Sequence, residues 1–101
     1  MRRSKLQVYV TILQTLADYG QMISTHITYN TNLNNANLKE CLAFLVENNL
    51  VQELRQNQRK AYAITDLGFQ VLQLVKKLDD SLHVFSEEVY SEIYSKIGKN
   101  R

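Results

Sequence analysis

Proline is absent from the 101 residues, glycine occurs only at Gly20, Gly68 and Gly98, and cysteine only at Cys41. With so few backbone breakers, long stretches are free to be helical. A lone cysteine excludes an internal disulfide and any cysteine-pair metal site. His26 and His83 lie far apart and have no cysteine partners, so they form no metal-binding spacing. No stretch approaches the roughly 20 apolar residues needed to cross a bilayer. The N-terminal MRRSKLQVYVTIL sets basic residues before an apolar stretch, but Gln7, Thr11 and Gln14 interrupt it and no small-residue cleavage site follows. It therefore does not read as a signal peptide, and a cytoplasmic protein is expected. No nucleophile–base pattern, glycine-rich phosphate loop or metalloprotease motif occurs, so no enzyme, cofactor or small-molecule ligand is expected.

What is present suits a small globular chain. Hydrophobic residues make up 45% and charged residues 22%, enough for one core but not for two. A chain this short buries a modest fraction of its surface alone, which makes oligomerisation a natural source of further core. The net charge of +2 is unevenly spread. Residues 1–65 hold seven bases against four acids, and residues 66–101 hold five against six. The basic excess of the first two thirds is a weak electrostatic footprint of a nucleic-acid binder.

Apolar spacing outlines the elements. Over 4–18, Leu6, Tyr9, Val10, Leu13, Leu16 and Ala17 share one helical face, and Gly20 stops the helix. Residues 21–24 are long enough only for a brief strand or a connector. Ser24 or Thr25 is placed to cap a short helix over about 26–32. A third helix is expected over 35–48, capped by Asn34 or Asn35, with Leu38, Cys41, Leu42 and Leu45 inward. Asn49 then takes the left-handed position that ends it. Two extended runs, 50–55 and 60–65, flank a polar loop QNQR and form a hairpin with a basic tip. Thr65 caps a last helix over 66–97, with Asp66 suiting the helix dipole in its first turn. Val71, Val75, Leu78, Leu82, Phe85 and Val89 follow near-heptad spacing there, slipping afterwards to Ile93 and Ile97. A continuous helix would be on the order of 48 Å long at about 1.5 Å per residue, whereas Asp79, Asp80 and Ser81 offer a point at which it would divide in two.

Helix, short strand, helix, helix, hairpin and long helix is the winged helix-turn-helix order, in which the third helix enters the major groove and the hairpin touches the flanking backbone. The expected fold class is thus mainly α with a small β-hairpin (α+β), a winged helix-turn-helix with a long C-terminal coiled-coil helix. Residues 1–70 form the DNA-binding domain and residues 71–98 the dimerisation helix.

Four motifs in this order strengthen that reading: I-x-Y-x-x-N-L from Ile27, L-x-x-C-L-x-x-L from Leu38, N-L-V at Asn49–Val51, and Y-x-I-T-x-x-G-x-x-x-L from Tyr62. The pattern resembles small archaeal winged-helix DNA-binding proteins with a C-terminal coiled-coil helix, a group of chromatin-associated proteins and transcriptional regulators. That resemblance implies an antiparallel coiled-coil dimer with a winged helix toward each end; spacing alone does not distinguish parallel from antiparallel. Asn49 stands where such proteins more often have glycine.

The site residues follow. Arg55, Arg59 and Lys60 at the wing, with Lys39 on the third helix, are the candidate phosphate contacts. Asn34, Asn35 and Asn37 sit at the end of that helix that meets base edges, and asparagine pairs bidentately with adenine; caps and turn-formers are the plainer role for the same residues. Arg2, Arg3 and Lys5 are a candidate basic arm. Val75, Leu78, Leu82, Phe85, Val89 and Ile93 form the expected homodimer seam. Cys41 reads as core. On its outward face the third helix carries Glu40 and Glu47, which repel phosphate and keep open the alternative of a protein-docking module within a larger complex.

Overall fold

The computed structural model describes residues 4–82 of the chain, and its elements run α1 (Lys5–Tyr19), β1 (Met22–Ile23), α2 (Ser24–Thr31), α3 (Asn35–Glu47), β2 (Val51–Gln56), β3 (Arg59–Ile64) and α4 (Asp66–Leu82). The three strands form one antiparallel sheet in the order β1-β3-β2, with Met22 opposite Tyr62 and Val51 opposite Ile64.

Each helix begins and ends for a local reason. A reciprocal capping box opens α1: the Gln7 amide donates to the Ser4 hydroxyl, and the Ser4 amide donates to Oε1 of Gln7. Leu6 was expected on its buried face but is half exposed, because it lies a full turn before the core begins at Val10. Gly20, at φ +81°, turns the chain into β1. Helix α2 starts two residues earlier than expected, and neither Ser24 nor Thr25 caps it. The chain passes straight from β1 into the helix, so Ile23 takes the cap position and no side chain accepts from the first amides. Asn32, left-handed at φ 60°, closes α2, and only Leu33 and the cap residue Asn34 separate it from α3.

The core lies where the four helices and the sheet meet. Val10, Ile12, Leu13 and Leu16 of α1 pack with Ile27, Leu33, Leu38, Leu42, Leu45, Val51, Tyr62 and Leu72. Cys41 belongs to this cluster, and burial pushes its thiol up, as does the neighbouring Glu40. That is the environment of an inert core cysteine.

α3, the wing and α4 meet at one junction. At the end of α3 the Leu50 amide donates to the Leu45 carbonyl and the Asn49 amide to the Val46 carbonyl, with Asn49 left-handed at φ 62°. This is a Schellman ending, with asparagine in the usual glycine position. The Leu50 carbonyl then accepts from the Thr65 amide, and the Thr65 hydroxyl donates to the Asn49 carbonyl at 2.7 Å. The same hydroxyl accepts from the Gly68 amide at 2.9 Å, so Thr65 caps α4 as expected.

Beyond this junction α4 runs unbroken through Asp79, Asp80 and Ser81. Its inner side carries Gly68, Leu72, Val75 and Asp79. Leu67, Val71, Leu74 and Leu78, spaced by four, three and four residues, form a different stripe; Leu74 is 66% and Leu78 48% exposed. Val75, expected in the dimer seam, is thus half-buried against the chain's own core, and Leu74 stands in the outward stripe instead. The physical reason is that the first half of α4 must cover α1 and β3 before anything else can use it. Phe85, Val89 and Ile93 of the expected seam, with Arg2 and Arg3 of the arm, lie outside the described residues. No helix among the described residues is long and apolar enough to cross a membrane.

A Cβ at Gly68 would run into the Leu50 carbonyl and the Ile64 side chain, whereas one at Gly20 meets open space but sits at an unfavourable φ. Gly68→Ala should therefore cost about 3 kcal/mol through overpacking. Gly20→Ala should cost about 1–3 kcal/mol of backbone strain, since φ +81° with ψ −159° is a region that only glycine adopts readily. Urea midpoints of the two variants check the ordering.

Candidate nucleic-acid interface

Helix α3 and the wing stand side by side and leave a groove of about 430 Å³ between them. On the helix side it is lined by Lys39, Ala43, Val46 and Glu47, and on the wing side by Glu53, Lys60 and Tyr62. Ser24, the first residue of α2, closes it.

Strand register decides which wing residues face this groove. Glu53 pairs with Tyr62 and Arg55 with Lys60, so these four side chains share one face of the hairpin. Arg59 pairs with Gln56 one residue out of phase and lies on the opposite face. The three basic residues expected at the wing tip are therefore split: two on the helix side, one behind. Both of the two are already engaged. Lys60 Nζ lies 3.9 Å from Glu53 Oε2, and Arg55 Nη1 donates to the Gln58 carbonyl at 3.1 Å. All of these groups are exposed, so each pairing is worth a fraction of a kcal/mol and exchanges readily for a phosphate.

The turn is tighter than the four-residue loop read from the sequence. Strand pairing continues to Gln56 and Arg59, leaving Asn57 and Gln58 at φ 51° and 67°. Two consecutive left-handed residues define a type I′ turn, which matches the right-handed twist of the strands.

At the start of α3 the Asn34 Oδ1 accepts from the Asn37 amide at 2.8 Å, so Asn34 is the cap. Asn35, Asn37 and Lys39 are exposed. At about 100° per residue, Asn35 and Lys39 share the wing-side flank. Asn37 points about 160° away from Lys39, toward the flank of Phe44. Phe44 stacks on Tyr9 of α1 with ring centroids 4.5 Å apart, so that flank is tied to α1. The three asparagines thus divide into a cap, a groove-side residue and a residue of the far flank.

Tyr62 and Ser24 were missed at the sequence level. Tyr62 reads as a core strand residue, and its ring is indeed packed in the core at 8% exposure. Only the long-range register that sets it beside Glu53 shows that it also reaches the groove. Burial, and then the charge of Glu53, push its phenol up, so it stays protonated and able to donate at neutral pH. Among the described residues no cluster of acidic, histidine or cysteine side chains could hold a metal ion.

A trihelical core, a helix-turn-helix formed by α2 and α3, and a β-hairpin wing beside α3 define a winged-helix module. The sequence matches the family described as winged helix-turn-helix over residues 2–83, and the chain belongs to that family. No curated relative matches the sequence. Among solved structures it is similar to a MarR family transcriptional regulator from Silicibacter pomeroyi DSS, with a TM-score of 0.67, 15% identity, and 88% of this chain and 67% of that chain covered. It is similar too to the Bordetella bronchiseptica protein BpsR, whose DNA binding is regulated by 6-hydroxynicotinic acid (TM-score 0.65, 14% identity, 85% of this chain covered). The chain spans 58% of the length of that protein. The PcaV transcriptional regulator from Streptomyces coelicolor, solved with its natural ligand, matches with a TM-score of 0.63 and 15% identity over 90% of this chain and 70% of that one. At these identities the likeness is one of fold.

Gln58 holds a conformation that costs a non-glycine residue about 1–2 kcal/mol. Gln58→Gly should therefore raise the stability by about 1 kcal/mol, since Asn-Gly is the favoured type I′ pair. An upward shift in the denaturation midpoint without a change in m-value checks this.

Proposed function

We propose that this chain is a double-stranded DNA-binding protein, a transcriptional regulator or chromatin-associated factor that acts by binding rather than by catalysis. The observation that carries the reading is the pairing of an exposed α3, with Asn35 and Lys39 on its wing side, and a hairpin whose Lys60 lines the same groove with Arg55 on the same face of the wing. Helix α3 enters the major groove while the wing rests on the adjoining backbone. Membership of the winged helix-turn-helix family supports this, and so does the likeness of fold to transcriptional regulators. BpsR and PcaV are connected with small ligands, but the proposal assigns this chain no effector.

The acids temper the affinity. Glu40 and Glu47 on the exposed side of α3, and Glu53 in the wing, offset the bases around the groove. Binding of moderate strength in which base contacts contribute is the form this balance favours, rather than dense coating of DNA. The same acids, with the partly exposed Phe44, support the second reading, a docking module for another protein.

In the proposed assembly the chain is a homodimer joined through α4 and the chain beyond it, as in the coiled-coil winged-helix group that the sequence resembles. Support comes from the outward stripe of Leu67, Val71, Leu74 and Leu78, after which the sequence slips by one residue and resumes 3–4 spacing at Leu82, Phe85 and Val89. Its place of action is the nucleoid.

Two experiments test this. Fluorescence anisotropy on a random duplex should give an affinity that falls with salt. Replacing Arg55, Arg59 and Lys60 together by glutamine should flatten the log–log slope by about 0.9 for each phosphate that is no longer neutralised. An unchanged slope would remove the wing from DNA and favour protein docking. In sedimentation velocity at micromolar concentration the native chain should run as a dimer, and Leu74→Asp with Leu78→Asp as a folded monomer. A monomeric native chain would end the dimer proposal.

A further inference from the structure

The groove between α3 and the wing has a floor whose hydroxyl the core packing does not use. Tyr62 is more than nine-tenths buried, yet it lines the groove, and its hydroxyl has no hydrogen-bond partner among the described residues. Its ring is fixed by the core, while its hydroxyl remains open to water and is available as a donor to whatever enters the groove. Three further groups border the same space. Ser24 brings a hydroxyl without a partner among the described residues, and it stands at the start of α2, whose first amides have no side-chain cap. Lys39 comes from α3 and Lys60 from the wing. The described side-chain donors around this groove are thus two ammonium groups and two hydroxyls. Acceptors are present too: Glu47 on the helix side and Glu53, beside Lys60, on the wing.

We propose that this groove seats one phosphate of the DNA backbone, hydrogen-bonded by Tyr62 and Ser24 on its floor and charge-paired with Lys39 and Lys60 at its walls. This rests on the DNA-binding reading and gives it a location. The strand that runs between the major groove, entered by α3, and the wing must cross this gap, and there the hydroxyls of Tyr62 and Ser24 lie beside Lys39 and Lys60. Glu53 sets the threshold: in the free protein it occupies Lys60, and phosphate must take the lysine from it. Base-edge contacts elsewhere then have to supplement a seat that is close to neutral overall.

Tyr62→Phe removes the one hydroxyl and keeps the ring that the core needs. A hydrogen bond to a charged group is worth roughly 1.5–3 kcal/mol, so duplex affinity should fall about tenfold or more. The salt slope should stay the same, because no charge is removed. The urea midpoint, read on the same samples, should not fall. Ser24→Ala, at the edge of the groove and away from the core, should weaken binding in the same salt-independent way, by about threefold for one modest hydrogen bond. Lys60→Gln should instead lower the slope by about 0.9. Glu53→Gln should tighten binding several-fold. If Tyr62→Phe and Ser24→Ala bind the duplex as well as the native protein does, the phosphate seat is wrong while DNA binding stands. If the native protein does not bind duplex at all, the underlying reading falls with it. Titration with inorganic phosphate at fixed ionic strength, followed by tyrosine fluorescence, separates the other source of the same chemistry. Saturable phosphate binding with undiminished duplex affinity in Tyr62→Phe would make the groove a free-anion site and overturn the assignment.

Discussion

The geometry of the molecule depends on one contact, the approach of α4 to the start of the wing at Gly68 and Leu50. The Leu50 carbonyl accepts from Thr65, and Gly68 packs so closely against it that no Cβ fits. Thr65 bonds at once to Asn49, at the end of α3, and to Gly68, in the first turn of α4. Three elements distant in the chain are thereby locked at one point. The wing leaves α3 at a fixed angle because both of its ends, Leu50 and Thr65, are tied to each other and to the helices on either side.

Electrostatics then decide what the groove is good for. A binder driven by charge alone would present its bases together and unopposed. Here Lys60 is matched by Glu53, Arg55 is drawn to the turn carbonyl of Gln58, Arg59 sits behind the hairpin, and Glu40 and Glu47 occupy the outward side of α3. Each exposed pairing is weak and yields to a stronger partner; in the proposed DNA complex the arrangement lowers non-specific affinity more than it obstructs a well-placed backbone. Selectivity gained by suppressing the wrong complex is a general route when the attractive contacts are few.

Much of the fold was legible in the sequence because local rules and packing agree. The buried stripe of Leu38, Cys41, Leu42 and Leu45, the left-handed Asn49, the Thr65 cap and the order of the elements all followed from spacing and cap chemistry. Difficulties came where tertiary packing overrode a local signal. Ser24 and Thr25 resemble caps, but β1 runs directly into α2 and leaves them inside the helix. Val75 fits a heptad, but α4 first has to cover the core, which rotates the free stripe to Leu74. Of the candidate site, the residue types were readable but their sides were not. Strand register alone separates Arg59 from Arg55 and Lys60, and helical phase separates Asn37 from Asn35 and Lys39. Tyr62 was hidden because a core residue and a groove residue look the same in a strand pattern.

The central claim is that the space between α3 and the wing is where this protein meets DNA, and the most direct measurement is a residue-resolved one. Amide chemical shifts of the 15N-labelled full chain, followed as a short duplex is added, should change most at residues 34–39, at Ser24 and along 53–62. Leu67, Leu74 and Leu78 on the outward stripe of α4 should change little. Shifts centred on α4 or on the Tyr9–Phe44 flank, with the α3–wing groove undisturbed, would contradict the account.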